Sequence, residues 1–499
     1  MFEKFKFLVV LVLIVFIIPL DIFSQEYAMG SRLYKQENGK WYNYYDGIKC
    51  DQIVPNRLIV RMSSKLKPTN NNFEKLGIAN IKVNPKRYTG GYYVINIEKE
   101  EDSFMIANKI YQSIDYDYVE FDSYVSFCSI PQDIEYDSNQ WNLYSNRLDM
   151  PHAWDISIGN SSIILVFIDS GFDIDHEDLD GNFWINPGET SGDEIDNDNN
   201  GFVDDIHGWH FGGGDWREGG PGNNNLSIDE GHGTNVLGIA TAQTNNYEGG
   251  EYVGIAGIAG GWANLKGVSA MLLATENSEY DDTDDSTYLT SIVDCITYAM
   301  KNGADVINMS FNIKYEDGYD YVKAVIDTAV DEYDCVCVAA TGNDGGAVKF
   351  PANYDKVIAV GSVDSDDKHD YTPPPNQSGS CWDVDGTTNG KEIDLVAPTN
   401  VYTTSMSDGY LGFGNTSASV PHVSALAALI LSINDDLQPS DVRDILTSST
   451  DTDIYDNDGN PISYDANGWN QFVGYGRINA YKALKKTIEE YGGVGGTFT

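Results

Sequence analysis

The segment Ala425-Leu426-Ala427-Ala428-Leu429-Ile430-Leu431 has strong helix formers and no polar face. A helix that is apolar almost all round has to be enclosed by other elements, so the chain must fold into a large domain with this segment near its centre. Leading into it is a run of small residues, Gly414-Asn415-Thr416-Ser417-Ala418-Ser419-Val420-Pro421-His422-Val423. Pro421 is expected in the first helical turn, where a missing N–H costs little. Ser417 then lies close to the unpaired N–H groups and positive end of the helix. It can serve there as a helix cap, or as a nucleophile whose oxyanion the helix end stabilises. Residues elsewhere have to decide between the two.

Ile163-Ile164-Leu165-Val166-Phe167-Ile168-Asp169-Ser170-Gly171 is an apolar run that stops at a carboxylate and a turn. It reads as a buried parallel strand ending at Asp169, the end where open α/β sheets place their sites. In Gly231-His232-Gly233-Thr234-Asn235-Val236-Leu237-Gly238-Ile239-Ala240, glycines flank a histidine just ahead of a helical pattern and permit close approach to it. Singly, Asp169 could be a turn former and His232 a structural histidine. Together with Ser417 they are an acid, a base and a hydroxyl, each at an element end.

The order Asp169, His232, Ser417 and its surroundings resemble the subtilisin-like serine proteases, the subtilase family. The likeness is carried by Asp169-Ser170-Gly171 with His176-Glu177-Asp178-Leu179, by Gly231-His232-Gly233-Thr234, and by Thr416-Ser417 with Pro421-His422-Val423. A fourth block, Ala339-Ala340-Thr341-Gly342-Asn343, puts Asn343 where the family keeps its oxyanion-hole amide. The resemblance implies that Ser417 attacks a peptide carbonyl, His232 acts as general base and then acid, Asp169 orients His232, and Asn343 with the Ser417 N–H holds the oxyanion. It departs from the family pattern at Asn415, Ala418-Ser419, Asn235 and Thr399. Asn415 tolerates left-handed backbone, whereas Thr399 would be strained if its position needed positive φ.

From Gln140 to about Tyr491, strand-like and helix-like segments alternate, which argues for one doubly wound α/β domain with a mainly parallel sheet and helices on both faces. We assign it residues 136–491. Residues 1–24, with Lys4, Lys6 and an apolar core from Phe7 to Leu20, read as a secretory signal peptide, with an uncleaved anchor as the alternative. No later segment reads as long and apolar enough to cross a bilayer. Residues 25–135 carry strands at Arg57–Met62, Tyr92–Ile97 and Tyr118–Phe121 and a helix from Ser103 to Ser113. That small α+β unit is similar to the family's prodomain, an intramolecular inhibitor removed by cleavage. A permanent domain is the competing reading. Residues 492–499 form a Gly-rich tail.

By the same resemblance, Ser310, Phe311, Asn312 and Gly342 are expected to line a substrate cleft, with Phe311 equally suited to the core. Lys349 is expected near the pocket for the residue before the cut bond, where it would favour acidic side chains or else be a solvated surface lysine. Acidic residues number 76 against 31 basic ones, for a net charge of −45, which argues against nucleic acid or anionic membranes as partners. Protein or peptide substrates fit better. Much of the charge crowds one loop, where Asp196, Asp198, Asn200, Asp204 and Asp205 offer oxygen ligands for a structural Ca2+; His207 at the twelfth position rules out an EF-hand. No cofactor is expected for catalysis. The six cysteines make no disulfide framework, although a bridge from Cys381 is open. The chain thus reads as a secreted serine endopeptidase made as a zymogen; the alternative is an inactive calcium-binding or adhesion scaffold on the same fold.

Overall fold

The computed structural model describes residues 26–492 apart from 30–31, 38–39, 46–47, 64–68, 79–80, 88–91, 98–102, 124–129, 213–221, 228–230, 249–250, 264, 276–286, 288, 314–318, 370, 373–377 and 382–392. The proposed signal segment and nearly all of the Gly-rich tail lie outside the described residues. The chain divides into two compact units, Met1–Phe127 and Cys128–Thr499.

In the first unit the long strand Ile48–Met62 pairs with Lys40–Tyr45, Tyr92–Ile97 and Tyr116–Ser123, all antiparallel. The helix Ser103–Tyr111 buries Phe104, Ile106, Ala107 and Ile110, and these join Leu58, Val60, Ile95 and Phe121 in one core. The expected strands of this unit fall inside these elements, and the expected helix begins at Ser103 as observed but ends at Tyr111, two residues before Ser113. The pairing of Glu26–Met29 with Arg32–Glu37, and of that strand with Lys40–Tyr45, extends the sheet beyond what periodicity revealed. The division at Phe127 lies ahead of the expected boundary at 135, because residues just after it bond within the second unit. Gln132 N donates to Asn245 Oδ1, and Asn245 N donates to Asp133 Oδ1.

The second unit is built on seven strands: β1 (Ile164–Asp169), β2 (Gly208–His210), β3 (Ser269–Ala274), β4 (Val306–Met309), β5 (Val336–Ala340), β6 (Val357–Val363) and β7 (Leu395–Pro398). Their spatial order is β7-β6-β5-β4-β1-β3-β2, and every pairing is parallel. Apolar side chains alternate between two buried faces, which is why the strands read as unbroken apolar runs. Leu165, Phe167, Val306 and Val338 face one core, with α1 (His232–Thr241) and α4 (Asn415–Ile433). Val166, Ile168, Ile307 and Cys337 face the other, with α2 (Leu289–Lys301) and α3 (Asp320–Asp331). This is the doubly wound α/β architecture expected. From β1 the chain builds β2 and β3 on one side, then crosses to β4 through β7 on the other. The C-terminal ends of β1 and β4 therefore flank the crevice where the order reverses, the usual ligand position in such sheets.

Two expectations are corrected by α4. The helix starts at Asn415, so Pro421 stands in its interior and not in its first turn. Contrary to the expectation that no later segment could span a bilayer, α4 is long and apolar enough by length and composition, with mean hydropathy 1.5. It is nevertheless the buried central helix that its apolar surface demanded, 94% enclosed within the unit. Cys295, Cys335, Cys337 and Cys381 are buried free thiols, so Cys381 forms no bridge.

Candidate active site

Asp169 closes β1 and is buried, whereas His232 is the first residue of α1 and is partly open to solvent. Their side chains meet through His232 Nδ1 and Asp169 Oδ1 at 2.7 Å. Asp169 Oδ1 also accepts from the Ser170 N–H at 2.8 Å, which fixes the carboxylate beneath the imidazole. Gly233 makes the approach possible. A Cβ there would meet the Gly171 carbonyl and come within 3.1 Å of Asp169 Cβ and 3.0 Å of Phe172 Cε1, so only glycine lets α1 press onto the end of β1.

Ser417 is the third residue of α4, and its hydroxyl does not cap the helix. It donates to the Ser310 carbonyl at 3.0 Å, across the end of β4. The helix start is capped from outside: Asn343 Oδ1 accepts from the Thr416 N–H at 2.9 Å and the Thr416 hydroxyl at 2.7 Å. With its oxygen held twice, the Asn343 amide has one orientation, and Nδ2 is turned away from Thr416. The Ser417 N–H belongs to the first helical turn and has no partner four residues back. The structure thus shows two parts: an acid–imidazole pair where β1 meets α1, and a hydroxyl, an oriented amide and helix N–H groups at the start of α4, group types suited to activating a hydroxyl and binding an oxyanion.

The departures from the expected local pattern find physical reasons. Asn415 adopts φ of 64°, the left-handed turn anticipated for it. Thr399 is not in a left-handed conformation; Asn400 takes that role at 56°. The Thr399 hydroxyl instead donates to the Asn415 carbonyl at 2.9 Å, tying the loop to the start of α4.

Around Gly342, at φ of 107°, the structure brings together Asn312, Lys349 and Cys381; a Cβ on Gly342 would lie 3.7 Å from Asn312 Nδ2 and 3.0 Å from Cys381 Sγ. Phe311 is half-buried against the second core face. Lys349 Nζ is 3.1 Å from Asp344 Oδ2, and Cys381 Sγ donates to Asp344 Oδ1 at 2.9 Å. Burial alone would raise the Asp344 carboxyl, but the Cys381 and Lys349 hydrogen bonds outweigh it and hold the group below the usual carboxylate range. Burial, reinforced by Asp344, pushes the Cys381 thiol up to about 11.

Two clusters could hold a cation. Ligand oxygens of Glu189, Asp198 and Asp205 lie within 4.8 Å of one another, and Asn200 Nδ2 donates to both Asp198 and Asp205. Asp196 and Asp204 spend their carboxylates on backbone N–H groups of the same loop, at Asn200 and Gly201 and at Gly192 and Glu194. Glu189 escaped the sequence reading because it precedes the alternating stretch that carried the signal. The second cluster was missed entirely. Asp133 Oδ2, Asp178 Oδ1 and Asn246 Oδ1 are buried without a partner at full hydrogen-bond geometry, although the Asn246 amide and the Tyr410 hydroxyl lie beside Asp178 and partly offset its burial. Burial drives Asp178 well above the carboxylate range, with the nearby Asp133 adding to it, and burial brings Asp133 up to about 7. Orphaned acceptors beside two buried carboxyls suit a hard cation.

The Subtilase family model matches residues 160–476. The thermophilic serine proteinase of Bacillus sp. (strain AK1) is 30% identical over 359 residues, covering 71% of this chain and 69% of that protein. Thermitase of Thermoactinomyces vulgaris is 29% identical over 357 residues, covering 71% of this chain and 99% of that one. A solved structure from the proteases of Pseudoalteromonas arctica PAMC 21717 shares the fold, with TM-score 0.54 and 24% identity over 72% of this chain and all of that one. The family match, running from just before β1 to beyond α4, spans every element that contributes to the crevice, and the chain belongs to the Subtilase family of serine-type endopeptidases.

Proposed function

We propose that the chain hydrolyses peptide bonds through an acyl-enzyme on Ser417, with His232 as general base and acid, Asp169 as its orienting carboxylate, and Asn343 Nδ2 with the Ser417 N–H as the oxyanion site. The observation that carries this reading is the 2.7 Å Asp169–His232 hydrogen bond, which fixes the imidazole tautomer with its Nδ1 proton toward the carboxylate. His232 Nε2 is then the basic nitrogen. For attack, the Ser417 hydroxyl rotates from the Ser310 carbonyl to Nε2, and its proton passes to the imidazole as the Oγ–carbon bond forms. The carbonyl oxygen gains a full negative charge, to which the Asn343 and Ser417 donors are matched. His232 returns the proton to the leaving amine, the C–N bond breaks, and water repeats the sequence on the ester.

Further parts of the reading rest on the sequence. Residues 1–24 direct secretion, and the first unit is a prodomain that inhibits the enzyme until cleaved ahead of Gln140. Ser310, Phe311, Asn312 and Gly342 bind an extended peptide, and Lys349 favours an acidic side chain before the cut bond, with its charge shared by Asp344. Calcium is structural. The Glu189, Asp198 and Asp205 cluster and the Asp133, Asp178 and Asn246 oxygens are its proposed sites, where it would neutralise crowded carboxylates.

A fluorophosphonate probe tests the central claim. The purified chain, freed of its first unit, labels and digests casein, and Ser417→Ala loses both. Persistent labelling in Ser417→Ala would move the nucleophile elsewhere. Absent labelling in the native chain would favour an inactive scaffold.

A further inference from the structure

Pro421 lies four residues after Ser417 within α4, at the position whose N–H would normally close the helical hydrogen bond to the Ser417 carbonyl. Proline has no N–H to give, so that carbonyl loses its helical partner at the heart of the buried unit. The missing donor is supplied from the sheet. Ser310 Oγ donates to the Ser417 carbonyl at 3.2 Å, while Ser417 Oγ donates to the Ser310 carbonyl at 3.0 Å. Serine and serine are thus joined twice, once through each backbone.

The direction of the Ser310 proton is set from further inside. Asn308, on β4 and fully buried, donates from Nδ2 to Ser310 Oγ at 3.0 Å. Its Oδ1 lies 2.9 Å from the Ser424 hydroxyl, the shorter of that hydroxyl's two contacts, the other being the Val420 carbonyl at 3.2 Å. Because Ser310 Oγ already receives a proton, its own can only be given away, and the Ser417 carbonyl takes it.

We propose that Ser310 is a positioning residue for the nucleophile: its side-chain hydroxyl, aimed by Asn308 and Ser424, replaces the N–H that Pro421 removes and holds the Ser417 peptide in register. This is a different role from offering backbone groups to a substrate. Loss of the hydroxyl leaves a buried carbonyl unsatisfied, and the Ser417–Ala418 peptide tilts to find a partner, turning the Ser417 Cα that carries Oγ and adjoins the Ser417 N–H. Displacements of about 1 Å at reacting groups cost on the order of a hundredfold in rate. The proposal rests on Ser417 being the nucleophile, and the Ser417→Ala labelling test judges that premise separately.

The test is a double-mutant cycle on the mature enzyme, since Pro421→Ala returns an N–H to the Ser417 carbonyl and makes the Ser310 hydroxyl redundant for it. With Pro421 present, Ser310→Ala lowers kcat by about thirtyfold with KM within about twofold. In the Pro421→Ala background, the same change costs less than about threefold. Ser310→Thr, which keeps the hydroxyl, stays within about fivefold of the native enzyme. Equal losses from Ser310→Ala in the two backgrounds, or a loss confined to KM, would overturn the proposal. If Ser310→Ala fails to fold with Pro421, recovery of the folded enzyme in the Pro421→Ala background supports it, and failure in both refutes it.

Discussion

The orientation of the Asn343 amide gives the sharpest quantitative expectation. Asn343 Oδ1 is held by two donors of Thr416, so the side chain is already aimed when the oxyanion forms and pays no reorganisation during the reaction. Asn343→Leu removes both the anchor and the donor, and it strips one of two proposed oxyanion hydrogen bonds. Such a donor is worth about 3 kcal/mol, or roughly a hundred- to a thousandfold in kcat, with little change in KM because the ground-state carbonyl is not its target. Asn343→Asp is the informative companion. It keeps the shape and both Thr416 hydrogen bonds, yet faces the oxyanion with a carboxylate, so its kcat falls at least as far. Thr416→Val leaves the Thr416 N–H anchor and removes only the hydroxyl, for a loss of about fivefold, the equivalent of about 1 kcal/mol. Initial rates on a peptide anilide over a range of concentrations, normalised to active enzyme by fluorophosphonate titration, separate kcat from KM. A kcat for Asn343→Leu within tenfold of native, or an Asp variant clearly better than the Leu variant, would refute the assignment of Nδ2 to the oxyanion.

Three other expectations follow from the structure. Chelation of calcium lowers the unfolding temperature by several degrees, since a ligand at a hundred times its Kd contributes about 2.7 kcal/mol. The drop is smaller in Glu189→Gln or Asp178→Asn, and a chelator with no effect on the native chain sinks the calcium reading. His422 is fully buried, with Nδ1 donating to the Ala418 carbonyl and Nε2 accepting from Asn142, and burial takes it from the 6.5 of an exposed imidazole down to about 4. Its folded pKa lies below the unfolded one. Its stabilisation is therefore complete above pH 6.5 and fades as pH falls toward 4, by about 3 kcal/mol in all. Urea unfolding of the inactive Ser417→Ala chain between pH 7 and 4.5 reads this as a slope, which His422→Gln makes shallower by about one proton; an unchanged slope contradicts it. Finally, peptides with Glu before the cut bond gain on those with Phe only while Lys349 is present, so equal Glu to Phe ratios in the native enzyme and Lys349→Ala would dismiss the charge-pairing idea.

The legible parts of this chain were those with a local signature. The apolar run through Val166 announced a buried strand, and Asp169, His232 and Ser417 announced themselves by standing at the ends of apolar elements. What stayed hidden was set by contacts between distant segments. Nothing near Ser417 says that its hydroxyl turns to Ser310, and nothing near Asn343 says that Thr416 orients it. The start of α4 was misjudged for a related reason. A proline usually marks a first turn, but here a serine just past the end of β4 supplies the missing donor, and the helix runs through it. In the same way Asp133, Asp178 and Asn246 carry no shared motif; only the fold shows that each buries an oxygen and that Asp178 feels both of the others.

The crevice draws on residues from 169 to 417, each held by a different strand or helix of the second unit. An endopeptidase of this kind meets its own sisters as substrates, and the buried strands that build the crevice can be cut only after they come apart. For cuts within those strands, catalytic competence and vulnerability to self-digestion therefore belong to opposite sides of one folding equilibrium: a molecule whose strands have come apart has already lost the arrangement at their ends. Where cleavage outpaces reclosing, loss by this route is set by how often the second unit opens, and an activity trace decaying over hours then measures its unfolding rate.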